Sequence, residues 1–208
     1  QSVLDHILIY TLLAMSQAIA LRAGTFSIGS AAFAAIGAYA TAILITRLGW
    51  WPPVAIASGV VLAGAISLMM AFPLSRLRGV FQAVATLALV QVVVTVAMNW
   101  DSVTRGALGI TGIPKAATTS WLIVIVAMAM VLVHTLARFS LGRAMDVIRQ
   151  DETVAVSLGI SVAYHQRIAM TLSGLLAGLA GALLACNAYA VNPEEFGFHM
   201  LVQGLAMA

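Results

Sequence analysis

The sequence predicts an all-α protein, a polytopic bundle of transmembrane helices, and three observations predict it. Hydrophobic residues make up 62% of the 208-residue chain and charged residues only 8%, against about 25% charged in an ordinary soluble domain. Mean hydropathy is +1.04. The apolar residues run unbroken for about 18 positions or more, the length a helix needs to cross a bilayer. A membrane barrel would show segments of about 10 residues with alternating polarity.

Taken in order, the runs predict helices at 4–21, 30–46, 53–74, 80–98, 120–137 and 166–190, with another starting near 198. Gly24 and Gly29 bracket the first connection, Trp51-Pro52-Pro53 forms the second, and Arg76 to Gly79 the third. The fourth, Asn99 to Ser120, is expected to be a long loop because it carries Gly106, Gly109, Gly112 and Pro114. Residues 1–208 are expected to be one transmembrane domain, truncated at both ends. No basic n-region followed by a cleavage site is read after Gln1, so no signal peptide is expected in these residues, and the sequence ends in an apolar stretch.

Basic residues orient the bundle. Alternation of the helices places Arg22, Arg76, Arg78, Arg138, Arg143, Arg149 and Arg167 on one side, and Arg47, Arg105 and Lys115 on the other. The first side is then cytoplasmic, and an odd number of helices is expected before Gln1. A re-entrant segment at 22–30 would alter that count. Trp50, Trp51, Trp100 and Trp121 fall at the outer helix ends, where indole rings anchor at the interface.

Small residues mark the helix contacts. Ser30, Ala34, Ala38 and Ala42 recur every four residues, and Gly174 and Gly178 form a GxxxG pair. In lipid such positions let backbones approach closely. Polar residues at membrane depth are costly and tend to face protein. Gln91 lies mid-helix, Gln82 and Thr86 share its helix, Gln17 is on the first, and Asn187 is on the last complete one. Gln91 either lines a translocation path or makes an interhelical hydrogen bond, the commoner use of a single such residue.

Several chemistries are excluded. The ten basic residues are dispersed, with no aromatic-interleaved patch for nucleic acid. Cys186 is alone in an apolar run and reads as a buried thiol. His6, His134, His165 and His199 are scattered, so no metal is expected. No G-x-x-x-x-G-K-[ST] occurs, and the sole lysine, Lys115, follows a proline. The chain has no phosphate cradle of its own and is not expected to be an enzyme. No buried carboxylate relay is apparent, which weighs against a proton-coupled carrier.

The polar stretch GRAMDVIRQDETVAVSLGI, from Gly142, stands out between two apolar helices. Asp151 is a good N-cap, Glu152 suits the first turn, and Gly159 is a natural terminator. They predict a two-turn helix, Glu152 to Leu158, outside the membrane. Its Val154, Ala155 and Leu158 are expected to face either a soluble partner or lipid headgroups, and the residues alone leave both open.

At this point the chain resembles the M-type permease subunits of bacterial ABC importers for the branched-chain amino acids leucine, isoleucine and valine. Ordered blocks carry the resemblance across the whole chain: AGTFSIGSAAFAAIGAYATA from Ala23, LRGVFQAVATLAL from Leu77, NWDSVTRGALGITGIP from Asn99, the polar stretch itself, LSGLLAGLAGAL from Leu172 and NPEEFGF from Asn192. Gly24, Ser27, Gly29, Phe33, Gly37, Ala38 and Tyr39 match in the first block. Departures are Thr25 for a usual Gln, Ser30 for a frequent His, Arg105 for a usual Gly and Gln150 for a usual Glu.

The resemblance implies a multi-pass bacterial inner-membrane subunit that works by ATP-driven alternating access. It implies that residues 143–160 form a cytoplasmic coupling segment seated in a cleft of an ABC ATPase subunit, with Arg143, Arg149, Asp151, Glu152, Val154, Ala155, Leu158 and Gly159 as its candidate residues. Ser27, Gly29, Thr86, Gln91 and Asn187 are candidates for the translocation path, and Gly37, Gly174, Gly178 and Gly181 for helix packing. ATP and Mg would sit on the partner ATPase subunits and no cofactor on this chain. Further partners implied are a second homologous permease subunit, a periplasmic substrate-binding protein and the lipid bilayer. Competing readings are the same machine with urea, a short amide or another small solute as cargo, an ion-coupled secondary transporter, and a structural subunit without a path.

Overall fold

In the computed structural model the described residues are 2–25, 27, 29–114, 118–197 and 200. Six helices are long and apolar enough to span a membrane: α1 (Ser2–Arg22), α2 (Ser30–Leu48), α3 (Pro52–Leu74), α4 (Val80–Asn99), α6 (Thr119–Arg138) and α9 (Val162–Ala188). Three short helices stand between them: α5 (Asp101–Thr104), α7 (Ser140–Gln150) and α8 (Glu152–Ser157). The six spans begin and end within four residues of the sequence expectation. The helix expected from 198 lies outside the described residues.

Local chemistry sets the boundaries. Gly49 takes a left-handed conformation (φ 62°) and returns its N–H to the Leu44 carbonyl, closing α2. Pro52 and Pro53 open α3 in its first turn, where a missing N–H costs no helical bond.

The bundle is organised around α9, which packs on α1, α2 and α3. In its most apolar stretch 72% of α9 is buried, against 28% for α4 and 17% for α6. These two form the periphery. α4 offers only one stripe to the bundle: Gln82, Thr86, Val90, Val94 and Ala97.

Close approach at the centre depends on small residues. Ser30, Ala34, Ala38 and Ala42 are all buried in α2. A β-carbon on Gly181 would fall 2.6 Å from the Ala34 carbonyl carbon, and one on Gly174 or Gly178 would overlap Ser67 or Ala63 of α3. Gly59, on α3, meets the Gly37 carbonyl in the same way, at 2.9 Å. Association in lipid gains from such contact because no water is expelled to drive it.

Short hydrogen bonds add to it. Ser16 Oγ donates to the Ser173 carbonyl (2.9 Å) and Ser67 Oγ to that of Met170 (2.7 Å). Gln17 Nε2 donates to Ser30 Oγ (2.6 Å), and Gln82 Nε2 to the Leu74 carbonyl (3.3 Å). Cys186 is fully buried in α9.

The two ends of the bundle differ. At one, the connection after α4 is more ordered than the expected loop. It holds α5, a turn of 3-10 helix (Gly106–Leu108) and strand β1 (Ile110–Thr111). β1 pairs antiparallel with β2 (Ala190–Val191), Ile110 opposite Val191 and Thr111 opposite Ala190. Two-residue strands carry no readable alternation, so the pairing is invisible in sequence. At the other end, Arg22, Arg78 and Arg167 all bond to neighbouring segments.

Candidate coupling surface

The polar stretch folds as two helices, one more than the sequence reading resolved. Phe139, extended at φ −74°, ψ 171°, breaks α6 from α7. Gly142 makes the corner possible: a β-carbon there would meet the carbonyl oxygens of Leu136 and Ala137 at 2.6 and 2.5 Å. α7 is amphipathic and buries Gly142, Met145 and Ile148, three residues apart, against the bundle. Arg143 and Arg149 remain exposed.

α8 is capped as the sequence suggests. The Asp151 carboxylate accepts from the backbone N–H of Thr153 (2.7 Å) and of Val154 (3.3 Å). These bonds hold its carboxyl below the ordinary aspartate value. Leu158 closes the helix and Gly159 turns the chain at φ 78°. Glu152 lies 3.6 Å from the Arg78 guanidinium on the α3–α4 turn, an exposed pair of small energetic weight.

The exposed face of α8 differs from expectation in one residue. Val154, Val156 and Leu158 are 49%, 62% and 66% exposed. Ala155, expected on that face, is fully buried. α8 packs on α7 and α9, and its smallest apolar residue is the one turned inward. Val156 takes its place outside. Sequence spacing identifies a two-turn helix but does not say which side its neighbours cover.

The pairing of Asp146 with Arg22 is not foreseen in the sequence. Arg22, the last residue of α1, donates Nε to Asp146 Oδ1 (2.6 Å) and Nη2 to Oδ2 (2.7 Å). This two-point pair holds the Asp146 carboxyl below its usual range, with a smaller contribution from Arg149. The partners are 124 residues apart, and no local pattern signals such a pair.

The five translocation candidates do not form one cluster. Ser27, Gly29 and Thr86 come together: a β-carbon on Gly29 would lie 3.6 Å from both Ser27 Oγ and Thr86 Cβ. Gln91 is exposed on the opposite side of α4 from buried Thr86. Asn187 is buried near the C-terminus of α9, in the turn that leads to β2. Gln17 and Gln82 make the bonds between segments given above. Among the described residues no group of three or more His, Cys, Asp or Glu side chains is placed to hold a metal.

Six membrane-length helices with a pair of short helices, α7 and α8, at the arginine-rich end define a multi-pass, all-α membrane protein. Residues 2–208 match the family model described as branched-chain amino acid transport system / permease component, and the chain belongs to that family. It is 31% identical over 211 residues to the high-affinity branched-chain amino acid transport system permease protein LivM of Escherichia coli (strain K12). That alignment covers 84% of this chain and 49% of LivM. LivM of Salmonella typhimurium (strain LT2) is 30% identical with the same coverage. The chain thus spans about half the length of these relatives. No solved structure matches it. Membership makes it a transport permease component, a multi-pass protein of the inner membrane.

Proposed function

We propose that the chain is the membrane-spanning part of an ABC importer permease subunit that moves branched-chain amino acids inward by ATP-driven alternating access. The observation that carries this reading is α8, in a chain of this family. It is a capped helix beyond the apolar spans with Val154 and Leu158 exposed on one side, a turn apart, and Val156 exposed on another. An apolar face of that kind at the arginine-rich, cytoplasmic end fits a groove on a soluble partner. The partner is the ABC ATPase subunit, which holds ATP and Mg, and this chain binds no cofactor. A periplasmic binding protein delivers the amino acid to the opposite end, and specificity rests chiefly with it.

α4 supports a second, homologous permease subunit in the assembly. Among exposed apolar residues such as Val84, Leu87, Val92 and Val96, α4 carries Gln91 at mid-helix, in line with Ala88 and Thr95. On α6 the exposed polar residues lie toward its ends, His134 and Thr135 near the arginine-rich one, and its middle is Ile123, Val124, Met128 and Val131. An amide facing hydrocarbon is costly, so α6 faces lipid and α4 faces the second subunit across the path. Gln91 stands midway along that path. Ser27, Gly29 and Thr86 lie together on the bundle side of α4, toward its cytoplasmic end, and Asn187 is buried near the outer end of α9.

The test uses the full-length parent purified with its partners. Cysteines at Thr153 and Val156 are expected to crosslink to the ATPase subunit, and Glu152→Lys with Gly159→Pro to uncouple uptake while the bundle stays folded. Normal ATP-driven uptake in that double variant, or no ATPase bound under any nucleotide condition, overturns the reading.

A further inference from the structure

We propose that α7 is the lever that carries movement of α8 into the bundle. It acts on the turn between α1 and α2 through the Arg22–Asp146 pair and the seat of Gly24 on the backbone of Arg149. This deepens, and rests on, the reading of the chain as an ATP-driven permease.

The contacts make a continuous route. α8 packs chiefly on α7, with a lesser contact to α9. α7 is fixed at its start, where Gly142 is wedged against the Leu136 and Ala137 carbonyls. Movement of α8 therefore reaches the bundle through the far end of α7. That end carries Arg149, whose Cα would lie 3.5 Å from a β-carbon on Gly24, with the Ile148 carbonyl at 3.7 Å. One turn back, Asp146 grips Arg22 at 2.6 and 2.7 Å. Two contacts a helical turn apart transmit rotation as well as push, which one would not.

The turn so gripped is built to pass the movement on. Ala23 and Thr25 are fully buried, and Thr25 Oγ1 donates to the Ala20 carbonyl at 2.6 Å. A packed segment shifts as a unit and does not absorb displacement. Next along it are Ser27 and Gly29, against Thr86 of α4, while Gln17 bonds α1 to the first residue of α2. Swinging α7 thus slides Ser27 and Gly29 past Thr86, on the bundle side of α4, and so moves the helix that lines the proposed path. Arg22 and Asp146 are positioning residues, acting through that turn and touching no cargo.

The experiment reconstitutes the full-length complex with its ATPase subunits and binding protein in proteoliposomes. It measures labelled leucine taken up per ATP hydrolysed. Arg22→Asp, Asp146→Arg and the near-isosteric Asp146→Asn are each expected to lower that ratio about tenfold, within the range of typical coupling between sites. Hydrolysis continues, and a Thr153→Cys crosslink to the ATPase persists. The exchanged pair, Arg22→Asp with Asp146→Arg, is expected to recover it. A wild-type ratio in all three single variants overturns the lever, as does loss of the crosslink together with uptake, or a folded exchange variant that stays uncoupled. Absence of ATP-driven uptake in the wild-type complex overturns instead the reading beneath it.

Discussion

The backbones of Gly37 on α2 and Gly178 on α9 touch: a β-carbon on Gly37 would stand 2.7 Å from the Gly178 Cα. Neither helix can retreat, because α9 is also wedged on α3 through Gly174 and Gly178. Gly37→Ala is therefore expected to destabilise the bundle by about 1–3 kcal/mol, the usual cost of overpacking. Gly29→Ala is the control. Its β-carbon would find neighbours at an ordinary 3.6 Å, and its φ of −78° suits any residue. Reversible unfolding in mixed micelles should separate the two variants, with the control within about 0.5 kcal/mol of wild type. Equal losses would show that the close approach is not what holds α2 to α9.

The α8 cap should titrate. The folded-state value of Asp151 is depressed by the Thr153 and Val154 N–H groups. Its stabilisation is therefore complete above the unfolded value of about 3.9 and is lost as pH falls through the lower, folded one. Hydrogen-exchange protection in α8, corrected for intrinsic rates, is expected to fall over that acid range in the wild type. In Asp151→Ala it should be low already at neutral pH and flat across the range. Unchanged α8 protection in the alanine variant would remove the cap from the account.

Arg105 sits at φ 62°, a left-handed conformation in which a side chain crowds the following carbonyl. Arg105→Gly is expected to raise stability by up to about 1 kcal/mol, the crowding relieved less the chain entropy added. A melting curve that shifts down would mean that the Arg105 side chain contributes more than its backbone costs.

Labelling should separate the two peripheral helices. Gln91→Cys is expected to crosslink to the neighbouring permease subunit in the assembled complex and to be protected from lipid-soluble thiol reagents. Met128→Cys, on the apolar side of α6, is expected to react freely with those reagents and form no protein crosslink. The reverse pattern would exchange the roles given to α4 and α6.

What the sequence determined by itself was the spans and the caps of α8, features set over short stretches, though not the break at Phe139 that splits α7 from α6. The apolar runs placed six spans because each must bury about twenty residues in hydrocarbon. Asp151 and Gly159 delimited α8 because caps act within one turn. The blocks from Gly24 to Tyr39 and from Leu172 onward were enough to place the family. Only the tertiary structure decided which faces meet. It turned Ala155 inward and Val156 outward, put Gln91 on the open side of α4 while burying Thr86 of the same helix, and joined Ile110 to Val191. It also brought Asp146 to Arg22 across 124 residues. The physical reason is that these helices are apolar nearly all round. An apolar stripe that would point a soluble helix toward its core carries no direction in a membrane, and orientation is left to the fit of small residues and a few hydrogen bonds between distant segments.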